Sequence, residues 1–182
     1  SSRNWGWVRQ MGRDPREIPL ILESLKLWRG LDRRVEGDTG FTQCGILYLS
    51  ETEADLASDT KWCAANAGTY GLSTRMITGA EVARLQPHAA KTWAGAMYTP
   101  DDCRAEPQKA APAIAKGFRK RGGKIFAPCA VRGIETAAGR VSGIVTEKGA
   151  MACESVVLAG GAWSRRFLGN LDIPFPQLTV IN

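Results

Sequence analysis

The stretch "ESVVLAGGAWSRRF" (154–167) narrows what this chain can fold into more than any other. Apolar residues at 156–159 stop at two glycines, and an aromatic ring and a hydroxyl follow at once. A short apolar run bounded in this way reads as a buried strand. Without a Cβ at Gly160 and Gly161, another molecule can lie against the backbone, with Trp163 and Ser164 flanking it. The same glycines also suit a tight turn and nothing more. In open α/β units, ligands bind outside the carboxyl ends of the parallel strands, which is where this pair falls.

The residues before it suit such a unit. Pro107 opens an alanine-rich helix that runs to Gly122-Gly123, with Pro112 inside it and cations in its last turns. "KIFA" (124–127), "AVRGIET" and "RVSGIVTEKG" then read as strands, and Gly139 places a hairpin between two alternating runs. Earlier in the chain, residues 1–13 look irregular. Asp14, Pro15 and Glu17 carry an N-cap signature that predicts a helix from Asp14 to about Gly37, apolar on more than one face. "GILYLS" (45–50), "STRMI" and "WAGAMYT" (93–99) read as strands, with helices at 52–67 and after the capping box Thr78-Gly-Ala-Glu81. "LDIPFPQLTVIN" reads as a proline-rich connection into one more strand.

Composition excludes several classes. Hydrophobic residues at 44% and charged residues at 23% are a globular balance. No apolar run is long enough to cross a bilayer, and nothing resembles a signal peptide. Five scattered cysteines without a Cys-x-x-Cys pair, beside a single histidine, argue against zinc and against a disulfide framework, so a reducing compartment is expected. The net charge of +6 decides little. Cations in "KGFRKRGGK" (116–124) suit a helix C-terminus on dipole grounds, so they read as a solvated face rather than a nucleic-acid surface. No Gly-x-Gly-x-x-Gly or Walker-type loop occurs.

Taken together, "EP…AAPAIAKGFRKRGGKIF…AVRGIET…GRVSGIVTEKG…CESVVLAGGAWSRRF" resembles the middle of the D-amino-acid oxidase-like flavoproteins, a family that includes glycine oxidase, sarcosine oxidase and D-amino-acid dehydrogenase. The opening "SSRNWGWVRQ" is similar to the segment that crosses the flavin in the sarcosine oxidase β-subunit branch.

The resemblance implies an α/β (α+β) fold: part of a Rossmann-like FAD-binding domain interleaved with part of an antiparallel-sheet substrate domain. Residues 1–40 and 103–170 would belong to the first and 41–102 to the second, which 171–182 would re-enter. It implies FAD as cofactor, met by Ser1, Ser2, Arg3, Asn4, Trp5 and Gly6 in the crossing loop, by Val131 beside the adenine, and by Ala159, Gly160, Gly161, Ala162 and Trp163 after the strand. Arg9 matches an arginine that points toward the substrate space. Arg3 and Arg9 would pair with a substrate carboxylate or with a reduced, anionic flavin. By residue type alone both read as surface arginines. Tyr48 is the catalytic candidate from the sheet that roofs the active site in the family, although Tyr48 and Tyr98 by themselves read as half-buried sheet tyrosines. Trp5 and Trp7 would wall the ligand space or pack, and His88 reads as exposed.

The chemistry implied is oxidation of the carbon–nitrogen bond of an amine or amino acid, with oxygen or another electron acceptor as second partner and no nucleic acid or metal. A cytoplasmic location is expected, with peripheral membrane association as the alternative. The family's pyrophosphate-binding unit would lie before Ser1 and its C-terminal portion after Asn182, making this chain the central piece of a longer enzyme. A non-catalytic module on the same fold, and a flavoenzyme for a hydroxy acid or polyol, are the other readings.

Overall fold

A computed structural model of the protein describes residues 4–176. Two compact units divide between Lys124 and Ile125.

In the first unit the helical signature at Asp14 is displaced. Helix α1 spans Ile18–Arg29, with Glu17 in the N-cap position and Pro19 in the first turn. The Asp14 carboxylate is already engaged: its Oδ1 accepts from the Arg16 N–H at 2.9 Å and its Oδ2 from the Arg16 guanidinium at 2.6 Å. Those bonds close a turn at 14–17 instead of a helix, and they hold the Asp14 carboxyl down at about 2. The helix also stops earlier than its apolar pattern predicts. Gly30 breaks it, helix α2 follows as Leu31–Val35, and Glu36 ends that turn at φ 52°.

Three short strands stitch this part together. β1 (Trp7–Val8) and β2 (Thr42–Gln43) flank β6 (Cys103–Arg104), both antiparallel to it. Periodicity does not reveal two-residue strands, so the sequence leaves all three as loops.

Between β2 and β6 lies a second antiparallel sheet of β3 (Ile46–Ser50), β5 (Gly95–Thr99) and β4 (Arg75–Thr78), in the order β3-β5-β4. Helix α3 (Glu53–Tyr70) starts on a capping box of Thr52 and Asp55. It ends at Gly71 with φ 63°, three residues beyond its expected end. Helix α4 (Gly79–Leu85) opens on the predicted Thr78–Glu81 box, with Glu81 N–H donating to Thr78 Oγ1 at 3.3 Å. Ile77, Val82 and Ala96 form the buried cluster, joined by Leu47, Trp93 and Tyr98. Helix α5 (Pro107–Lys120), with Pro112 inside it, packs against α2, and Gly117 permits the approach. A Cβ there would stand 2.9 Å from Val35 Cα.

The second unit is a meander of β7 (Val131–Ala137), β8 (Arg140–Thr146) and β9 (Gly149–Ala152). The β7–β8 hairpin turns at Ala138 and Gly139, both at positive φ, as the sequence predicts. "RVSGIVTEKG" is not one strand: it turns at Glu147-Lys148 and returns as β9.

Two expected strands do not form. Residues 124–127 and 155–160 join no sheet among the described residues, and Val157, expected to be buried, is 91% exposed. A strand exists through its hydrogen-bonded neighbours, and an apolar sequence cannot supply them alone. A 3-10 turn (Gly161–Trp163) and helix α6 (Ser164–Gly169) follow.

Candidate functional site

Residues far apart in the sequence meet at the end of β1. The Arg9 guanidinium carbon lies 5.5 Å from the centre of the Trp7 ring and 5.0 Å from that of Tyr48 on β3. The two rings are 6.4 Å apart at 55°. Trp5 meets Trp7 edge-on at 6.5 Å. A cation against two ring faces is held by their negative quadrupoles, about 0.5–1 kcal/mol each at a partly exposed site. Arg9 Nη1 also donates to the Met11 carbonyl at 2.7 Å. The guanidinium carries five donors in a flat fork, so this single bond leaves capacity for a planar anion such as a carboxylate.

The strand register explains why Tyr48 is the tyrosine in this cluster. Tyr48 lies opposite Met97, and Tyr98 lies opposite Leu47, so the two tyrosines occupy opposite faces of the sheet. Tyr98 instead stacks with Arg75 at 5.5 Å.

Two residues that the sequence does not single out complete the arrangement. Gly12, at φ 63°, lets the chain turn beneath the ring: a Cβ there would stand 2.5 Å from Tyr48 Cε2 and 3.2 Å from Arg9 Nη1. Asp102, 0% exposed, accepts from the Gln10 N–H at 2.6 Å through Oδ1. Its Oδ2 makes no hydrogen bond among the described residues. Burial pushes the Asp102 carboxyl up to about 6, against the lowering pull of the Gln10 and Met11 N–H groups, the Gln10 side chain and the Arg9 charge.

That elevation has a definite sign. The stabilisation it brings is fully present below the ordinary carboxyl value of 3.8 and is lost as pH rises through about 6. The interval is worth about 3 kcal/mol. Chemical denaturation should therefore show Asp102→Asn flattening the fall in stability that the unsubstituted protein undergoes between about pH 4 and about pH 7. Equal slopes in the two proteins would refute the assignment.

The crossing-loop candidates divide. Ser1, Ser2 and Arg3 lie outside the described residues. Asn4 Oδ1 accepts from the Gly6 N–H at 2.8 Å, and Trp5 is 87% exposed. Gly6 is buried, at φ 75°, against the backbone of Ala105, whose N–H donates to the Gly6 carbonyl at 2.8 Å. Its lack of a side chain therefore serves the close approach of β1 to the chain leaving β6.

In the second unit, Ala159, Ala162 and Trp163 are exposed, as is Val131 at the start of β7. A Cβ added at Gly161 would meet nothing within 4 Å, and φ is 56° there. At Gly160 the added atom would press on Ser164 Oγ at 3.2 Å, and Ser164 is buried behind the turn. Among the described residues no side chain lies within 4 Å of the Cβ added at Gly161, and the exposed Trp163 follows two residues on. An open backbone close in sequence to an exposed indole suits a flat aromatic ligand. Among the described residues no cluster of His, Cys, Asp or Glu could hold a metal ion, and no helix is long and apolar enough to cross a membrane. Some of the helix-end cations are engaged: Lys120 pairs with Glu36 at 2.5 Å, and Arg121 donates to the Gly117 and Arg34 carbonyls.

The mixed helix-and-sheet fold is that of FAD-dependent oxidoreductases. The family model described as FAD dependent oxidoreductase matches residues 1–181, and the chain belongs to that family. It is similar to the L-amino acid deaminase from Proteus myxofaciens, solved in complex with anthranilate: 35% identity and a TM-score of 0.90 over 97% of this chain and 40% of that one. It is 32% identical to the glycine oxidase of Bacillus licheniformis over 66% of this chain and 31% of that protein. It is 28% identical to the mitochondrial pyruvate dehydrogenase phosphatase regulatory subunit of Mus musculus over 78% of this chain and 16% of that protein. The chain thus spans less than half the length of each of these relatives.

Proposed function

We propose that the whole protein oxidises the carbon–nitrogen bond of an amine or amino acid, passing a hydride from the α-carbon to FAD, with hydrolysis of the resulting imine. The observation that carries this reading is the Arg9 guanidinium held against Trp7 and Tyr48, with one hydrogen bond, to the Met11 carbonyl, among the described residues. FAD, when bound, supplies the two-electron acceptor, and oxygen or another acceptor takes the electrons on. This chain's residues bind and orient. Arg9 pairs with the substrate carboxylate, with Arg3 as a second cation of the crossing loop. Tyr48 fixes the guanidinium plane and, with Trp5 and Trp7, keeps water from its face. The backbone at 159–163 lies along the flavin nucleotide, and Val131 meets the adenine. Ser1, Ser2, Asn4 and Gly6 shape the loop over the ring.

Residues 1–40 and 103–170 belong, in this reading, to the flavin-binding domain, and 171–182 lead back to the substrate domain. The sheet β3-β5-β4 with α3 and α4, all inside 41–102, supports the substrate-domain assignment. The cytoplasm is the proposed location.

The test is direct. Full-length protein should purify yellow, and amino acids or amines added without oxygen should bleach its flavin absorbance, whereas hydroxy acids and polyols should not. Colourless protein that takes up no FAD would end the reading. Similarity to a protein named as a regulatory subunit favours one alternative, a non-catalytic module on this fold. Failure of every compound in that panel to bleach the flavin would support it.

A further inference from the structure

We propose that Asp102 is the positioning residue for Arg9: its buried carboxylate pins the turn at Gln10 and Met11, whose carbonyl in turn holds the guanidinium beside Trp7 and Tyr48. This rests on the reading of Arg9 as the carboxylate anchor, and it adds the group that places the anchor.

The connections are short and continuous. Val8 of β1 pairs with Cys103 of β6, so the chain leaving β1 runs past Asp102. The Gln10 N–H meets Asp102 Oδ1 at 2.6 Å, and the Met11 carbonyl meets Arg9 Nη1 at 2.7 Å. Gln10 and Met11 are themselves buried, so neither peptide can turn to water for a replacement partner. Asp102 is equally fixed through its own backbone. Its N–H donates to the Thr99 carbonyl at 3.2 Å, and its carbonyl accepts from the Gly45 N–H at 2.9 Å and the Cys44 N–H at 3.3 Å. The exits of β1, β2 and β5 therefore converge on one residue.

A neutral acceptor would hold the Gln10 N–H equally well, yet the group here is an acid with one oxygen lacking a hydrogen bond among the described residues. Burying such a group is costly unless a charge offsets it. The groups whose fields reach this region are Arg9 from the exit of β1, Cys44 from the exit of β2, Asp101 and Cys103 beside it in sequence, and Arg29 from the end of α1. Of the two cations, Arg9 is the one that acts on the Asp102 carboxyl itself. An anion that neutralises Arg9 removes part of the field keeping Asp102 ionised, so its binding draws a proton onto Asp102. By linkage, the anion binds more tightly on the acid side of the Asp102 transition. The neutral acid still accepts from Gln10, so the anchor stays in place through that change.

The experiment is calorimetric binding of benzoate to the flavin-loaded, full-length protein between about pH 5 and about pH 8, with proteins compared at equal bound flavin. Asp102→Ala should weaken binding about tenfold, because the Gln10 N–H loses its acceptor and the turn relaxes. Asp102→Asn keeps the acceptor: it should restore affinity to within about twofold of the acid-side value of the unsubstituted protein and abolish the pH dependence. In the unsubstituted protein, affinity should rise severalfold as pH falls through the Asp102 transition. Unchanged affinity in Asp102→Ala would overturn the inference, as would failure of Asp102→Asn to rescue it. If Asp102→Ala does not fold, identical pH profiles for the unsubstituted protein and Asp102→Asn would also overturn it. Arg9→Ala separates the two ideas. Loss of benzoate binding there but not in Asp102→Ala defeats only the positioning role, whereas full binding in Arg9→Ala defeats the anchor reading and this inference with it.

Discussion

Replacing Gly6 by alanine should destabilise the protein by about 4 kcal/mol or more, the largest effect expected of any single methyl group added to it. The reason is local and severe. The new Cβ would lie 2.0 Å from the Ala105 carbonyl oxygen and 3.3 Å from Pro107 Cδ. The first of these is backbone, which cannot swing aside. Relief requires moving β1 away from the chain leaving β6, and that breaks the 2.8 Å bond from the Ala105 N–H to the Gly6 carbonyl. The positive φ of 75° adds about 1–2 kcal/mol for any residue with a side chain. Gly30→Ala is the matched control. Its Cβ would meet nothing within 4 Å and φ is −107°, so that change should lie within about 0.5 kcal/mol of neutral. Denaturant unfolding followed by tryptophan fluorescence measures both, and comparable stabilities for the two variants would refute the account.

The second large effect concerns Arg9 and depends on the proposed function. Arg9→Ala should raise KM for an amino acid about 100-fold, as expected when a charge-assisted pair worth about 3 kcal/mol is lost. Arg9→Lys should recover only part of this. An ammonium cannot present a flat fork to a carboxylate, nor stack between Trp7 and Tyr48 as a guanidinium does. An amine lacking the carboxylate should be oxidised almost equally by all three proteins. Parallel losses on both substrates would mean that Arg9 supports the fold and does not bind substrate.

Legibility differed sharply between kinds of feature. The capping box at Thr78 and Glu81 and the hairpin at Gly139 were readable because each is decided by neighbours a few residues away. The signature at Asp14 misled for the same local reason: Arg16 two residues on took the carboxylate before a helix could. The apolar run at 156–159 misled differently. Its composition describes a buried strand, yet among the described residues no strand pairs with it, and Val157 stands exposed. Of the site, Arg9, Trp5 and Tyr48 were named from the sequence only with the help of family resemblance. Gly12 and Asp102 were not named at all, since one glycine in a loop and one acid in "PDDCR" carry no pattern.

Residue order alone determined the capping box at Thr78, the hairpin turn, the family to which the chain belongs and the lack of a zinc-type cysteine pattern, since each depends on residue identity and short spacing. Only the tertiary structure decided that Arg9, Trp7 and Tyr48 meet, that Gly6 serves a close backbone approach, and that Asp102 is buried beneath the turn that carries the arginine. Such meetings depend on which strands pair and in what register, and on water being excluded where they do. Those are properties of the packed chain, in which residue 102 comes to lie beside residue 10.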